Sequence, residues 1–431
     1  MNDKKINVLL FPSCSEVAMA SHECLKNIRF IDIFGGSLDG SISKNTFKNL
    51  ITGIPNIKSP EFIDEINNVI KKFNIDIIYP CNDISSYEIS KNIDRINAKI
   101  IGSPLETNEI AFFKSKTYIN LGDIINVPKI FNNVENLNSN DFPLFLKPDS
   151  GHSSINTFKV SNLDELRFYM SKFNNLLICE YLPGEEFTID CFTNKNGKLL
   201  YAQARQRVSI KSGMSSKTIT VKDNSAFHEM AVKINDKIKF RNGWFFQVKK
   251  NKNNELCLME ISTRPAGNSE ISLANNINIP LISVYDILDH DVEIVEKKLT
   301  VEMSKILISK YNLKSSRFER VYIDLDDTII FENKINSEAI KFLYECINLK
   351  KEIFLITRHK KNIKETLDKL KISSNIFDKI IHIKDGSPKS SFIENTIIKK
   401  SIFIDDSFEE RKDLILTGVD AYDVNMISKI L

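Results

Sequence analysis

The stretch Val321-Tyr322-Ile323-Asp324-Leu325-Asp326-Asp327-Thr328 decides how the last part of the chain is read. Three apolar residues that favour strands run directly into carboxylates at 324 and 326. A short, wholly apolar strand is one covered on both faces, as in a parallel sheet. The carboxyl end of such a strand is where open α/β sheets bind ligands. A solvated acidic turn is the plain alternative. It is a costly one, because acids crowded at the end of a buried strand repel one another unless a cation joins them. An all-oxygen set suits Mg²⁺, or Mn²⁺. One carboxylate placed there can attack phosphorus, and a second can protonate the leaving oxygen.

Working outward, residues 353–356 form a second apolar strand that ends in Thr357-Arg358. Lys389 follows in Gly386-Ser387-Pro388-Lys389, and a third apolar strand, 402–404, ends in Asp405-Asp406. Helical patterns at 337–349 and 362–370 lie between the strands, so residues 318–431 read as a parallel-sheet domain. The order Asp, Thr, Lys, Asp-Asp, each at or near a strand end, resembles the haloacid dehalogenase-like phosphatase superfamily. The resemblance implies that Asp324 is the nucleophile and Asp326 the general acid/base. Thr357 and Lys389 would hold the transferred phosphoryl group. Asp405 and Asp406, with Asp324 and Asp326, would hold Mg²⁺. About 28 residues separate Thr328 from Thr357, too few for a large cap domain.

Upstream, residues 1–105 alternate short strands at 6–11, 30–34, 75–79 and 99–101 with amphipathic helices. In the helix expected over 60–73, Phe62, Ile63, Ile66, Val69, Ile70 and Phe73 share one face. The phrase Phe11-Pro12-Ser13-Cys14-Ser15-Glu16 follows the first strand, but a GxGxxG fingerprint is absent, so no dinucleotide site is expected. Residues 106–310 hold strands at 144–147, 176–180, 187–192, 199–204, 244–248 and 255–261. Polar turns at 195–198 and 251–254 imply antiparallel hairpins, and hence an α+β body. After Pro280 the pattern turns helical, and 310–317 reads as a polar linker.

Within this body Lys147 ends a strand and precedes a small, hydroxyl-rich loop, 148–154, whose backbone N–H groups suit phosphate oxygens. Lys114 is a second cation some thirty residues earlier. Glu180-Tyr181-Leu182-Pro183-Gly184 links two strands, and Glu186 and Asp190 follow. Arg205-Gln206-Arg207 precedes Ser212-Gly213. Glu260 and Ser262 alternate on one strand and face one way, with Gln247 expected opposite and Arg264 just beyond. Any one of these lysines or acids alone is more often a surface charge than a ligand.

Together these residues resemble the ATP-grasp superfamily, and residues 1–105 resemble the small domain that precedes it in carboxylate–amine ligases and carbamoyl phosphate synthases. The resemblance implies that Lys114 and Lys147 bind ATP phosphates. The backbone of Glu180, Tyr181 and Leu182 would bind adenine. Glu186 would bind ribose hydroxyls, with Glu185 as the rival. Arg207 and Arg264 would act on the acyl-phosphate or substrate carboxylate. Gln247, Glu260 and Ser262 would form the metal set. Ser262 departs from the usual Asn, and the loop after Lys147 has less glycine than is common.

The whole chain has 59 Lys+Arg against 56 Asp+Glu, a net +3, which excludes bulk binding to nucleic acid. Seven scattered cysteines without CxxC or zinc spacing read as reduced thiols in a cytoplasmic protein. No apolar run reaches the length of a membrane span, and residues 6–11 read as a strand rather than a signal peptide. The implied function is a bifunctional enzyme: an ATP-dependent carboxylate–amine ligase joined to a Mg²⁺-dependent phosphatase. Its partners are a small-molecule carboxylate, an amine and a phosphoester. A homo-oligomer is left open. The alternative is a phosphatase regulated by a nucleotide-binding module that ligates nothing.

Overall fold

A computed structural model describes residues 5–39, 42–151, 154–211, 213–306, 311 and 318–430. His152 and Ser153 of the phosphate loop, Ser212, and all of the expected linker except residues 311 lie outside the described residues. The chain divides into two compact units, residues 1–307 and 308–431. Among the described residues no helix is long and apolar enough to cross a membrane.

The first unit opens with a five-stranded parallel sheet. Across the sheet the strands run Asn49–Ile51, Ile31–Gly36, Ile6–Phe11, Ile77–Pro80 and Lys99–Ile100. The first strand in sequence is therefore central, and the switch point lies between the carboxyl ends of Ile6–Phe11 and Ile77–Pro80. Burial on both faces explains the unbroken apolar run at Val8, Leu9 and Leu10. Helix Phe62–Phe73 buries Phe62, Ile63, Ile66, Val69 and Ile70. It stops at Asn74, which takes a left-handed φ of 50° and so closes the last turn.

Two antiparallel sheets follow in the same unit. The smaller joins Phe158–Val160, Leu144–Pro148 and Leu176–Glu180. The larger has six strands, ordered Leu256–Ser262, Asn242–Lys250, Glu186–Thr193, Leu199–Lys211, Met214–Thr220 and Glu302–Ser304. The hairpin turns expected at 195–198 and 251–254 are present, with Gly197 at φ 77° and Asn254 at φ 64°. Because side chains alternate across a strand, the large sheet has two unlike faces. Phe187, Ile189, Cys191, Ala204, Trp244 and Phe246 join one core with Phe227, Ala231 and Ile234 of helix Ser225–Lys237. The opposite face carries Glu186, Thr188, Asp190, Arg205, Arg207, Gln247 and Glu260 in adjoining positions. The helical region expected after Pro280 is one helix, Ile279–Ile287; residues 290–301 form neither helix nor strand, and only 302–304 pair again.

The second unit is another five-stranded parallel sheet, ordered Lys379–His382, Glu352–Thr357, Arg320–Ile323, Ser401–Ile404 and Asp420–Tyr422. Its first strand is again central. A small hairpin, Ile330–Phe331 with Lys334–Ile335, follows the acidic stretch. Helix Ser337–Asn348 buries Ala339, Phe342, Leu343 and Cys346 against Val321, Ile323 and Ile353. The cysteines are all free, and all but Cys14 are buried. Burial pushes the thiols of Cys24, Cys257 and Cys346 up to about 12, so they stay protonated and inert.

Candidate functional sites

In the first unit the polar face of the large sheet is organised around Arg207. Its Nη1 donates to Glu186 Oε1 at 2.6 Å and to Gln247 Oε1 at 2.8 Å, and Nη2 donates to the Gly213 carbonyl at 2.7 Å. Its Nε is buried with no partner. Gln247 stands opposite Glu260 in the strand register. Ser262 turns away: its hydroxyl donates to Asp83, which also accepts from Arg264 Nη2 at 2.6 Å. Asp83 opens the helix after Ile77–Pro80, at the switch point of the first sheet. The first sheet thus reaches the strand that carries Glu260.

Of the two neighbouring acids at 185 and 186, Glu186 has its carboxylate on the polar face beside Arg207, with Lys249 3.8 Å from its second oxygen. Glu185 bonds Gln206 and Lys250 and is half exposed. Asp190 is spent on a buried ion pair with Arg205 at 2.7 Å.

The two lysines come from the small sheet and the helix before it. Lys147 is buried, and its ammonium meets the Tyr118 hydroxyl and, at 3.3 Å, the Met259 carbonyl next to Glu260. Burial holds this ammonium below its ordinary range, and Lys114 adds to the effect. Lys114 Nζ donates to the Gly151 carbonyl at 3.2 Å. Asp149 caps the helix that starts at Lys114, accepting from Ser115 N at 2.7 Å and Ser115 Oγ at 2.8 Å. A cavity of about 360 Å³ beside this loop is lined by Pro148, Ser150, Gly151, Lys172 and Ile84. Between the sheets, the Glu180 N–H is taken by the Lys129 carbonyl. Leu182 is buried, and Tyr181 lies under Lys159, 4.4 Å from its ring centre. A base bound along this segment would use the backbone of 181–182.

The residues present fit a nucleotide's phosphates: Lys114 reaches the loop, and Lys147, on the strand that leads into it, is near enough to feel the charge of Lys114. The expected metal set is thinner. Glu260 gives its one carboxylate, Gln247 an amide whose oxygen already serves Arg207, and Ser262 a hydroxyl turned to Asp83.

In the second unit Lys389 lies between two acids at the carboxyl edge of the sheet. Its Nζ is 2.9 Å from Asp324 Oδ1 and 2.6 Å from Asp405 Oδ2, and all three side chains are buried. One ammonium shared by two carboxylates leaves an excess negative charge. Burial, with Asp405 adding, therefore pushes Asp324 up to about 6 against the pull of Lys389. Burial likewise raises Asp405. Burial opposes the charge on Lys389, but the two carboxylates outweigh it and raise its pKa. Asp324, Asp405 and Asp406 can each turn an oxygen to a common point, the atoms lying within 4.8 Å of one another; this is the sole such set among the described residues. Three carboxylates fit Mg²⁺.

The Asp326 carboxylate lies outside that set. It is half exposed and takes His359 Nδ1 at 2.9 Å on both oxygens. Thr357 ends the strand beside Asp324 and is fully buried. Arg358 turns to Glu410 at 3.0 Å.

Sequence reasoning missed Asp83, Tyr118 and His359. Each had a positional signal: the end of a strand at a switch point, four residues beyond Lys114 on one helix face, and two residues beyond Thr357.

Comparison with known proteins bears on the first unit. Residues 172–307 match the family described as ATP-grasp in the biosynthetic pathway with Ter operon. The first unit carries an ATP-grasp fold. The biotin carboxylase domain of 2-oxoglutarate carboxylase from Hydrogenobacter thermophilus, solved with MgADP, ADP and bicarbonate, superposes with a TM-score of 0.57 at 14% identity, over 69% of this chain and 73% of that one. N5-carboxyaminoimidazole synthetase from Staphylococcus aureus, solved with ADP, gives 0.56 at 12% identity over 71% and 84%. L-amino acid ligase from Bacillus licheniformis gives 0.52 at 15% identity over 67% and 75%. No curated protein matches the chain by sequence. The whole chain is a mixed α/β, multidomain protein built around that fold.

Proposed function

We propose that the chain is a bifunctional enzyme with three domains, 1–105, 106–310 and 318–431. The first two form an ATP-dependent ligase that joins a carboxylate to an amine. The last is a capless, haloacid dehalogenase-like phosphatase. The ligase reading is carried by one arrangement: Lys114 at the Gly151 carbonyl of the loop after Lys147, with Lys147 meeting the strand of Glu260. ATP would lie with its phosphates at these lysines and its ribose at Glu186. Arg207 and Arg264 would hold the substrate carboxylate in line with the γ-phosphoryl group. A carboxylate does not acylate an amine at neutral pH; transfer of the γ-phosphoryl group to it gives an acyl-phosphate, and amine attack then releases phosphate and an amide.

The phosphatase reading is carried by Lys389 held between Asp324 and Asp405. Asp324 would attack phosphorus while Asp326 gives a proton to the departing oxygen. Water would then attack the aspartyl-phosphate as Asp326 takes a proton back, freeing phosphate and Asp324. Thr357 and Lys389 would hold the phosphoryl oxygens. Mg²⁺, when bound at Asp324, Asp405 and Asp406, would neutralise the charge that builds on the phosphoryl group.

The fusion joins the two steps: the phosphoester is a substrate or product of the ligase. The test follows ADP release over pools of carboxylates and amines, in the wild type and in Asp324→Asn. Ligation should continue in the variant, and a phosphorylated product should accumulate. If ligation stops with Asp324→Asn, the two-step reading is wrong. If no pool releases ADP while phosphatase activity remains, the first unit is a nucleotide-binding module, a reading that the thin metal set at Gln247 and Ser262 favours.

A further inference from the structure

His359 is buried, yet both ring nitrogens and both backbone polar groups are engaged at the proposed phosphatase site. Nδ1 is 2.9 Å from each oxygen of Asp326. An ionised Asp326 accepts from Nδ1–H and a protonated Asp326 donates to a bare Nδ1, so the contact holds in both states that a general acid/base must visit. Nε2 is 2.7 Å from Thr366 Oγ1, a hydroxyl that can donate to a neutral ring or accept from a charged one. Thr366 belongs to helix Ile363–Lys369, so the ring is fixed from behind by a regular element. The His359 N–H donates to Thr357 Oγ1 at 3.1 Å. Its carbonyl accepts from His382 Nε2 at 2.7 Å, which ties the loop to the edge strand Lys379–His382.

This placement matters because Asp326 is half exposed and, without a partner, would sample several rotamers in water. A general acid must lie within hydrogen-bond reach of the leaving oxygen when the bond breaks. Thr357 has a second need: a hydroxyl proton aimed at the phosphoryl group. With the His359 N–H bonded to its oxygen, Thr357 keeps its own O–H to donate.

We propose that His359 is the positioning residue of the phosphatase site, holding the Asp326 carboxylate at the leaving-group side and orienting the Thr357 hydroxyl. The proposal rests on the phosphatase reading above. It makes a claim that a merely structural histidine would not satisfy: its loss weakens proton delivery to the leaving group more than it weakens phosphoryl binding.

The test compares kcat/KM of the full chain with Mg²⁺ on p-nitrophenyl phosphate, whose leaving group needs little protonation, and on β-glycerophosphate, whose leaving group needs a proton. In His359→Ala the β-glycerophosphate rate should fall at least about tenfold and the p-nitrophenyl phosphate rate less than about threefold, a share of the usual general-acid effect. A substituted phenyl phosphate series should show a steeper dependence on leaving-group acidity. His359→Asn, which keeps a donor near the place of Nδ1, should restore part of the loss. Equal falls on both substrates, or no fall on either, overturn the proposal. Circular dichroism of each variant guards against misfolding, and Thr366→Val, which loosens the ring without removing it, should give the same uneven pattern at smaller size. A wild-type protein that hydrolyses neither phosphate removes the phosphatase reading and this one with it; an active wild type with even losses removes this one alone.

Discussion

Replacing Asp324 with Asn should make the second unit more stable while ending the proposed phosphatase activity. The reason is the buried charge count. Asp324 and Asp405 share one ammonium, and burial pushes Asp324 to about 6 from an ordinary 3.8. Between these values the folded protein holds a proton that the unfolded chain has lost, so stability falls as pH rises through the window and is flat above it. The raised pKa corresponds to up to about 3 kcal/mol of destabilisation at pH 7.5 and about 1 kcal/mol at pH 4.5. Asn has nearly the same shape, carries no charge, and leaves Lys389 paired one-to-one with Asp405. The variant should therefore gain most of that sum at pH 7.5 and little at pH 4.5. For a unit of this size about 1 kcal/mol moves Tm by roughly 4 °C, so the expected shift at pH 7.5 is roughly 10 °C. The assay is thermal unfolding in EDTA, because bound Mg²⁺ would stabilise the wild type alone. The chain's one tryptophan, Trp244, lies in the first unit. Its fluorescence reports that unit, and far-ultraviolet circular dichroism reports both. A neutral or destabilising effect at pH 7.5, or an equal gain at pH 4.5, would refute the reasoning.

Lys389→Met should do the reverse, costing about 3–5 kcal/mol at pH 7.5 by leaving two buried carboxylates unpaired; chemical denaturation should show the loss shrinking as pH falls. Mg²⁺ alone should raise the melting temperature of the wild type, and Asp405→Asn should remove most of that rise in a thermal-shift titration. Glu260→Gln should cut ADP release by about a hundredfold or more while p-nitrophenyl phosphate hydrolysis stays unchanged, which separates the two activities. At Gly184 a Cβ would stand 2.5 Å from Lys250 Cβ and 2.8 Å from its carbonyl oxygen. Gly184→Ala should therefore shift the connection between the two antiparallel sheets, cost about 1–3 kcal/mol, and weaken ADP binding by calorimetry.

Much of the fold was legible because the buried strands announce themselves. Val8–Leu10 and Val321–Ile323 are apolar on both faces and fully buried. Three edge strands of the parallel sheets were not legible. Asn49–Ile51, Lys379–His382 and Asp420–Tyr422 are short and carry polar residues on their open side, so their pairing is set by the neighbouring strand rather than by their own sequence. Met214–Thr220 hides among serines and threonines because it completes the polar face of its sheet. At the sites, residue type and order were readable, and side-chain direction was not. The alternation of Glu260 and Ser262 predicts a common face, but it cannot show that Asp83, far away in sequence, draws Ser262 aside. Asp326 is a motif residue whose partner, His359, is fixed by a loop.

The first unit's reach along the sequence has a consequence for how the protein is made. Asp83 meets Arg264 across 181 positions, and Glu16 meets Lys305 across 289. A ribosome emits the first parallel sheet long before the strand it must meet, so the nascent chain carries an open crevice edge for most of its synthesis. Such distant pairings close slowly, since chain entropy is lost before the contacts repay it. Truncated chains that stop before residue 264 should thus be inert as ligases and dependent on chaperones. Asp324, Lys389 and Asp405 all emerge within one late stretch and can assemble as soon as they appear.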